Sequence, residues 1–309
     1  MHQAISSSGG VCDVEYVRGA EAAKAAVPDL LLEVPHGATL ARHFVELRGR
    51  LEGEVPAELI DFFFVNTDIG APELAQAIAA QFVAAAPTRT ALVLRSLLPR
   101  TLVDCNRHLD PDARPQGTEA GQLTPGLPPW IGDPRDQRLL LALHGEYARL
   151  AATAFDAVCG AGGMALLVHS YAPRSLDVPV DDRIVDHLHA AYAPDRIEQW
   201  PLRAEVDLIT HDPDGRDFAP AVLVDAVVRD LQAMGRQVER NGTYSLHPST
   251  LAHRFAARYP GQCLCFEVRR DLLVTEFVPF VELHADPERV AAMAAPFARA
   301  MAAMRSSAQ

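Results

Sequence analysis

Short apolar runs that each stop at a polar, reactive side chain constrain this chain more than any other feature. Asp29-Leu-Leu-Leu-Glu-Val34 runs into Pro35-His36-Gly37, and Gly163-Met-Ala-Leu-Leu-Val-His169 ends at His169-Ser170. Continuous apolar runs of this length, bounded by turn residues, read as strands buried on both faces, as in a parallel sheet. Phe62-Phe-Phe-Val-Asn66 reads as another strand, and Ala91–Arg95, Thr101–Cys105 and Gln262–Val268 as three more. Between them lie helical patterns over Leu40–Leu51, from Pro72 through Val83, and over Arg138–Val158, Asp181–Tyr192, Ala219–Arg240 and Pro287–Met304. Pro72 suits a first helical position, because proline's missing N–H has no partner there anyway. Strand and helix alternate, which predicts an α/β fold: three layers, with helices on both faces of a mostly parallel mixed sheet.

The 309 residues fit a single catalytic domain over residues 1–309, since cores stop growing near ~250–300 residues. The stretch from His108 to Arg135 is rich in Pro, Gly and Asp, longer than an ordinary connection, and is expected to be a functional loop lying over the site. A net charge of −12 argues against nucleic-acid and membrane partners, both of which require a basic footprint. No run reaches the ~20 apolar residues of a membrane span. The first residues lack a signal-peptide pattern, so the expected location is cytoplasmic. Five cysteines, an odd number, argue against a disulfide framework. Cys263 and Cys265 share one strand face and read as small buried residues rather than half a metal site. The oligomeric state is not legible.

In an open α/β sheet, ligands bind at the carboxyl ends of the strands. The predicted strands end in His36, Asp68, His169-Ser170 and Glu267, and a fifth ends in Asp104-Cys-Asn106-Arg107. Each has a plain structural reading on its own: a hydrogen-bonded loop histidine, a helix cap at Asp68, an Asp104–Arg107 ion pair. Together they have a chemical logic. Two histidines and a carboxylate form a catalytic zinc set whose fourth position is left to water, and zinc lowers the pKa of that water to ~7. Glu267 could move the water's proton, and Arg107 or Arg100 could hold an acidic substrate. Neither a His-Glu-x-x-His helix nor a Gly-x-Ser-x-Gly elbow occurs.

Five motifs in order carry a resemblance: Val34-Pro-His-Gly37; Asn66-Thr-Asp68; Arg100-Thr-Leu-Val-Asp-Cys-Asn-Arg107; Val168-His-Ser170; and Asn241-Gly-Thr-Tyr244 ahead of Phe266-Glu-Val-Arg269. In these the chain resembles the N-formylglutamate amidohydrolase family. The resemblance implies a zinc carboxypeptidase-like fold with an eight-stranded mixed sheet. It implies one zinc per chain held by His36, Asp68 and His169, with Glu267 as general base. Asn106 and Arg107 would clamp the substrate carboxylate, Arg100 would steady the oxyanion, and Ser170, Tyr244 and Arg269 would complete the substrate contacts. Glu33, three residues before His36, is the alternative to Asp68. Ala38 after Gly37 and Tyr171 after His169-Ser170 depart from the usual pattern.

The expected function is a metal-dependent amidohydrolase that removes an N-formyl or other small N-acyl group from an acidic amino acid such as N-formyl-L-glutamate. The alternatives are a carboxypeptidase-like hydrolase of another small N-acyl or peptide substrate, and a non-catalytic binding protein on the same fold.

Overall fold

The computed structural model describes residues 5–109 and 125–304. Seven strands form one mixed sheet: β1 (Cys12–Arg18), β2 (Leu30–Val34), β3 (Thr90–Ser96), β4 (Met164–Tyr171), β5 (Val206–Ile209), β6 (Val238–Arg240) and β7 (Cys263–Arg269). Their spatial order is β1-β3-β2-β4-β7-β5-β6. The central four run parallel, while β1 pairs antiparallel with β3 and β5 antiparallel with β7. The helices are α1 (Ala41–Arg48), α2 (Leu59–Asn66), α3 (Ala71–Ala85), α4 (Pro134–Val158), α5 (Ile184–Ala191), α6 (Ala221–Ala233), α7 (Leu251–Arg258) and α8 (Pro287–Ala303).

The two-residue period of each strand sorts its side chains into two cores. Leu30, Leu32, Leu166, Leu264 and Phe266 pack under α3, α6 and α8, with Phe266 stacked on Phe297 at 4.1 Å. Leu31, Leu92, Leu167, Cys263 and Cys265 pack under α4 and α7, where Phe155 stacks on Phe255. Helix α3 thus covers one face on the way from β2 to β3, and α4 covers the other on the way from β3 to β4. From β2 the chain adds β3 on one side of the sheet and then β4 on the other, and this reversal of strand order between β2 and β4 opens a crevice at their carboxyl ends, the place where ligands enter sheets of this kind.

Several expectations are corrected. Phe62–Asn66 is not a strand but the second half of α2. Leu59, Phe62, Phe63 and Val65 are all buried, so the helix is apolar on nearly every side and shows no 3.6-residue period. Phe63 packs on Phe44, and Phe62 meets the Trp130 ring edge-on. Thr101–Cys105 is a buried turn. Its backbone bonds run to Pro99 O from Leu102 and Val103, and to Gly126 O from Asp104, so no neighbouring strand is used. The long helix expected over Ala219–Arg240 stops at Ala233, because Gly235 takes φ +75° and turns the chain into β6. The described residues form seven strands rather than eight, and β1, β5, β6 and α7 add to what the sequence shows. Residues 110–124 of the expected 108–135 loop lie outside the described residues. The five cysteines are free and buried.

Candidate active site

The site stands at the carboxyl ends of β2, β4 and β7. His36 follows β2 across the Pro35 turn, where Gly37 is required: a Cβ there would meet the Arg95 side chain at 2.4 Å and the carbonyl oxygen of Ser96 at 2.8 Å. The Arg95 Nε donates to Gly37 O at 2.7 Å and fixes the loop. Asp68 arrives on the extended backbone that leaves α2, and Gly70, with φ +81°, starts α3 two residues later. His169 and Glu267 come from paired strands.

Two imidazoles converge on one carboxylate oxygen. Asp68 Oδ2 lies 3.3 Å from His36 Nδ1 and 3.1 Å from His169 Nδ1, with all three side chains buried. With metal–ligand bonds of ~2.0–2.1 Å, the edge of a tetrahedron is ~3.3–3.4 Å, so these separations suit a zinc-sized ion. The other side of His36 supports the same reading. Its Nε2 lies 2.7 Å from Asp104 Oδ1, and donation there leaves the Nδ1 lone pair facing the Asp68 carboxylate. Two electron-rich atoms at that distance require a proton or a cation between them, and a carboxylate on the far nitrogen is the usual support of a metal-bound histidine.

Asp68 does not cap α3. Its oxygens face the two histidines, the Ser170 N–H, Arg100 and Arg270. Burial works against its charge, but His36 and His169 hold it well below the ordinary carboxylate value. Asp104 is likewise held far down: burial opposes its charge, and His36 and Arg100 outweigh that. For Arg100, burial disfavours the cation, but Asp104 and Asp68 raise its pKa overall. Glu33 is also buried, yet its carboxylate takes the Tyr147 hydroxyl on α4 rather than joining the trio.

Glu267 shares its face with Cys263 and Cys265, as strand alternation predicts, and burial pushes its pKa up to about 7 despite His169 nearby. Its Oε2 is buried without a hydrogen-bond partner. A carboxylate in that state is costly unless a ligand, water or cation completes it.

The remaining expected residues divide. A cavity of about 710 Å³ is lined by His36, His169, Glu267, Arg100, Asn106, Arg107, Ser170 and Tyr244. Asn106 uses its Oδ1 on the Ala252 N–H, leaving Nδ2 for a ligand. The Ser170 hydroxyl is spent on Ile69 O, so Ser170 braces the Asp68 turn. Arg269 is not among the residues that line the cavity; its guanidinium forks onto Asp271 and donates to Arg203 O. The next residue, at the start of the 3-10 turn Arg270–Leu272 that ends β7, points inward instead. Arg270 donates to Val65 O, Ser170 O and Asp68 Oδ1. Arg203 also lines the cavity, lies over the Tyr171 and Tyr244 rings and leaves Nε unpartnered. Neither arginine belongs to a motif that sequence reading could weigh. Arg270 had only its place beside Glu267-Val-Arg269 to mark it.

A family model described as N-formylglutamate amidohydrolase matches residues 29–274, a span that holds every site residue named above. The chain belongs to the N-formylglutamate amidohydrolase family. Among solved structures, this member of the family is similar to the crystal structure of N-formylglutamate amidohydrolase from Ralstonia eutropha JMP134. Identity there is 19% over 94% of this chain and 96% of that one, with a TM-score of 0.55, a likeness of fold. A gene product of Agrobacterium tumefaciens is 19% identical over 95% of this chain and 94% of that one, with a TM-score of 0.49. No curated protein matches the chain. Among the described residues, no helix is long and apolar enough to cross a membrane.

Proposed function

We propose that this amidohydrolase cleaves the amide of an N-acylated acidic amino acid, N-formyl-L-glutamate being the case to which its family points. The observation that carries this reading is the meeting of His36 Nδ1, His169 Nδ1 and Asp68 Oδ2 beside the unpartnered Oε2 of Glu267, inside a cavity edged by arginines.

His36, Asp68 and His169 would hold one zinc ion, which supplies Lewis acidity to the scissile carbonyl and acidifies water at the site. Asp104 holds His36 at Nε2 so that Nδ1 stays turned toward Asp68, where it could serve as a ligand. Glu267 takes the proton of the attacking water at Oε2 and passes it to the leaving nitrogen. A base whose pKa lies near 7 is suited to do both. Arg100, charged and unpartnered at Nε, steadies the oxygen anion that develops on the carbonyl. Arg107 and the Asn106 amide receive the substrate carboxylate, and a guanidinium fork is matched to that shape.

The test is release of free amine from N-formyl, N-acetyl and N-succinyl derivatives of glutamate and aspartate, with protein purified without added metal and then supplied with zinc. Zinc-dependent release from acidic substrates is expected. No release from any of them, with zinc bound in stoichiometric amount, would leave a binding protein on this fold.

A further inference from the structure

The arginines that line the cavity differ in what balances their charge. Arg100 pairs with Asp104 and Asp68, Arg270 with Asp68, and Arg174 with Glu198. Arg107 is the proposed clamp for a substrate carboxylate. Arg203 pairs with no carboxylate among the described residues. Its Nη1 donates to Ala172 O at 3.2 Å and its Nη2 to the Tyr244 hydroxyl at 3.1 Å, while Nε is buried without a partner. A guanidinium carries five N–H donors, so several of its hydrogens remain for a ligand. A buried donor on an unbalanced charge is costly unless something completes it.

Three residues that the motifs single out, and that the mechanism above does not use, converge on Arg203. Its guanidinium lies over the Tyr171 ring at 5.1 Å and over the Tyr244 ring at 5.6 Å. The third, Arg269, is anchored on Asp271 and donates to Arg203 O at 2.9 Å, and the Arg203 N–H in turn donates to Pro173 O. Backbone bonds and two aromatic faces thus fix the cation before any ligand arrives. Its place is beside the chemistry. Tyr171 ends β4 two residues after His169, both line the cavity, and the charge of Arg203 reaches Glu267. One segment of the cavity wall joins it to the clamp, since Arg203 meets that segment at Tyr244 and Arg107 bridges to it at Thr250.

We propose that Arg203 reads the second carboxylate of an acidic substrate, the one on its side chain, while Arg107 and Asn106 hold the carboxylate that every amino acid carries. This rests on the amide-hydrolysis reading above and deepens it by naming the residue that makes the site selective for dicarboxylic amino acids. A side-chain carboxylate supplies the counter-charge that Arg203 lacks and accepts from its remaining N–H groups. A glutamine side chain has the same shape but brings no charge, and its amide nitrogen offers a donor where an acceptor is needed.

The experiment compares N-formyl-L-glutamate with its neutral isostere N-formyl-L-glutamine, by amino-acid release from the zinc-loaded protein, in the wild type and in Arg203→Met, Arg203→Lys and Arg107→Lys. In the wild type, kcat/KM is expected to favour formylglutamate by about 10–100-fold, the size of a hydrogen bond to a charged group. Arg203→Met should bring that ratio to within about threefold of one, chiefly through KM for formylglutamate. Arg203→Lys keeps the charge without the fork and should give an intermediate ratio. Arg107→Lys should lower both substrates alike and preserve the ratio. A wild-type ratio near one overturns the proposal while leaving amide hydrolysis in place. A loss in Arg203→Met that both substrates share equally makes Arg203 a support of the fold, which also overturns it. A preference lost in Arg107→Lys but kept in Arg203→Met exchanges the two assignments and overturns it as well. Release of neither amino acid by the wild type sinks the amidohydrolase reading itself, and the proposal with it.

Discussion

His169 and Glu267 stand directly opposite each other in the parallel register of β4 and β7, one the candidate metal ligand and the other the candidate base. The sheet itself sets their spacing, because neighbouring strands lie ~4.8 Å apart. Side-chain conformation then decides only the last ångströms between the imidazole and the carboxylate. The same register fixes Val168 opposite Phe266 in the other core, so a slip of one residue would bury the polar pair under α3 and α8 and expose both apolar partners to the cavity.

Replacing His169 with Ala removes one of two nitrogen donors. Stoichiometric zinc should be lost by elemental analysis while circular dichroism keeps the native spectrum. Full metal content in the variant would remove His169 from the site.

Asp104→Asn tests the support of His36. The amide keeps the size of the carboxylate but loses its charge at the far imidazole nitrogen. Losses of this kind cost roughly 10–100-fold in metal affinity or activity. Zinc titration against a competing chelator measures this directly, and an unchanged affinity would reduce Asp104 to a partner of Arg100.

Glu267→Gln should keep zinc and substrate affinity but lower kcat by ~10²–10⁴-fold. Burial raises the pKa of Glu267 from an ordinary 4.5 to about 7, so the wild-type enzyme should gain activity as pH rises and the carboxylate forms. A bound cation pulls that value down, so the acid limb falls at or below pH 7. In the metal-free protein, Glu267 has the opposite effect on stability. Between about 4.5 and 7 the folded state holds a proton that the unfolded chain lacks, so this group's contribution decreases as pH rises through that window. Normal turnover in the Gln variant would make Glu267 structural.

Arg107→Lys should lower kcat/KM for acidic substrates by about one to two decades, since an ammonium cannot reproduce a two-point fork. Unchanged kinetics would pass the carboxylate to Arg100 or Arg203, both of which line the same cavity.

His43 on α1 gives a stability prediction away from the site. Its Nδ1 accepts the Leu40 N–H, and burial, then Arg95 and Arg42, lower its pKa from 6.5 to about 4. The unfolded chain takes up a proton below 6.5 and the folded chain only near 4. The stabilisation is therefore complete above pH 6.5 and is lost as pH falls from there through about 4. Thermal melts near pH 7.5 and near pH 5 should differ less in His43→Leu than in the wild-type protein. An equal difference would place the acid sensitivity elsewhere.

The sequence by itself determined the central strands of the sheet and the residues at their carboxyl ends. Leu30–Val34, Gly163–His169 and Gln262–Val268 are legible because strands covered on both faces need unbroken apolar runs, and the polar residue that ends each run must point into the crevice. His36, His169 and Glu267 follow from that rule. The tertiary structure decided what the pattern leaves ambiguous. The run Phe62–Asn66 is a helix because α1, α5 and Trp130 surround it, and a helix covered on most sides loses its polar stripe. It delivers Asp68 from a helix end where a strand was expected. Only the fold distinguishes Asp68 from Glu33, since the choice depends on which carboxylate reaches two imidazoles and which is held by Tyr147. Arg269 and Arg270 differ by one residue; alternation alone would place Arg269 on the Glu267 face, but β7 ends there, and the 3-10 turn Arg270–Leu272 lets Arg269 fork onto Asp271 while Arg270 reaches inward to Asp68. The local sequence carries no trace of that choice, because both partners are distant in the chain or lie beyond the strand's end.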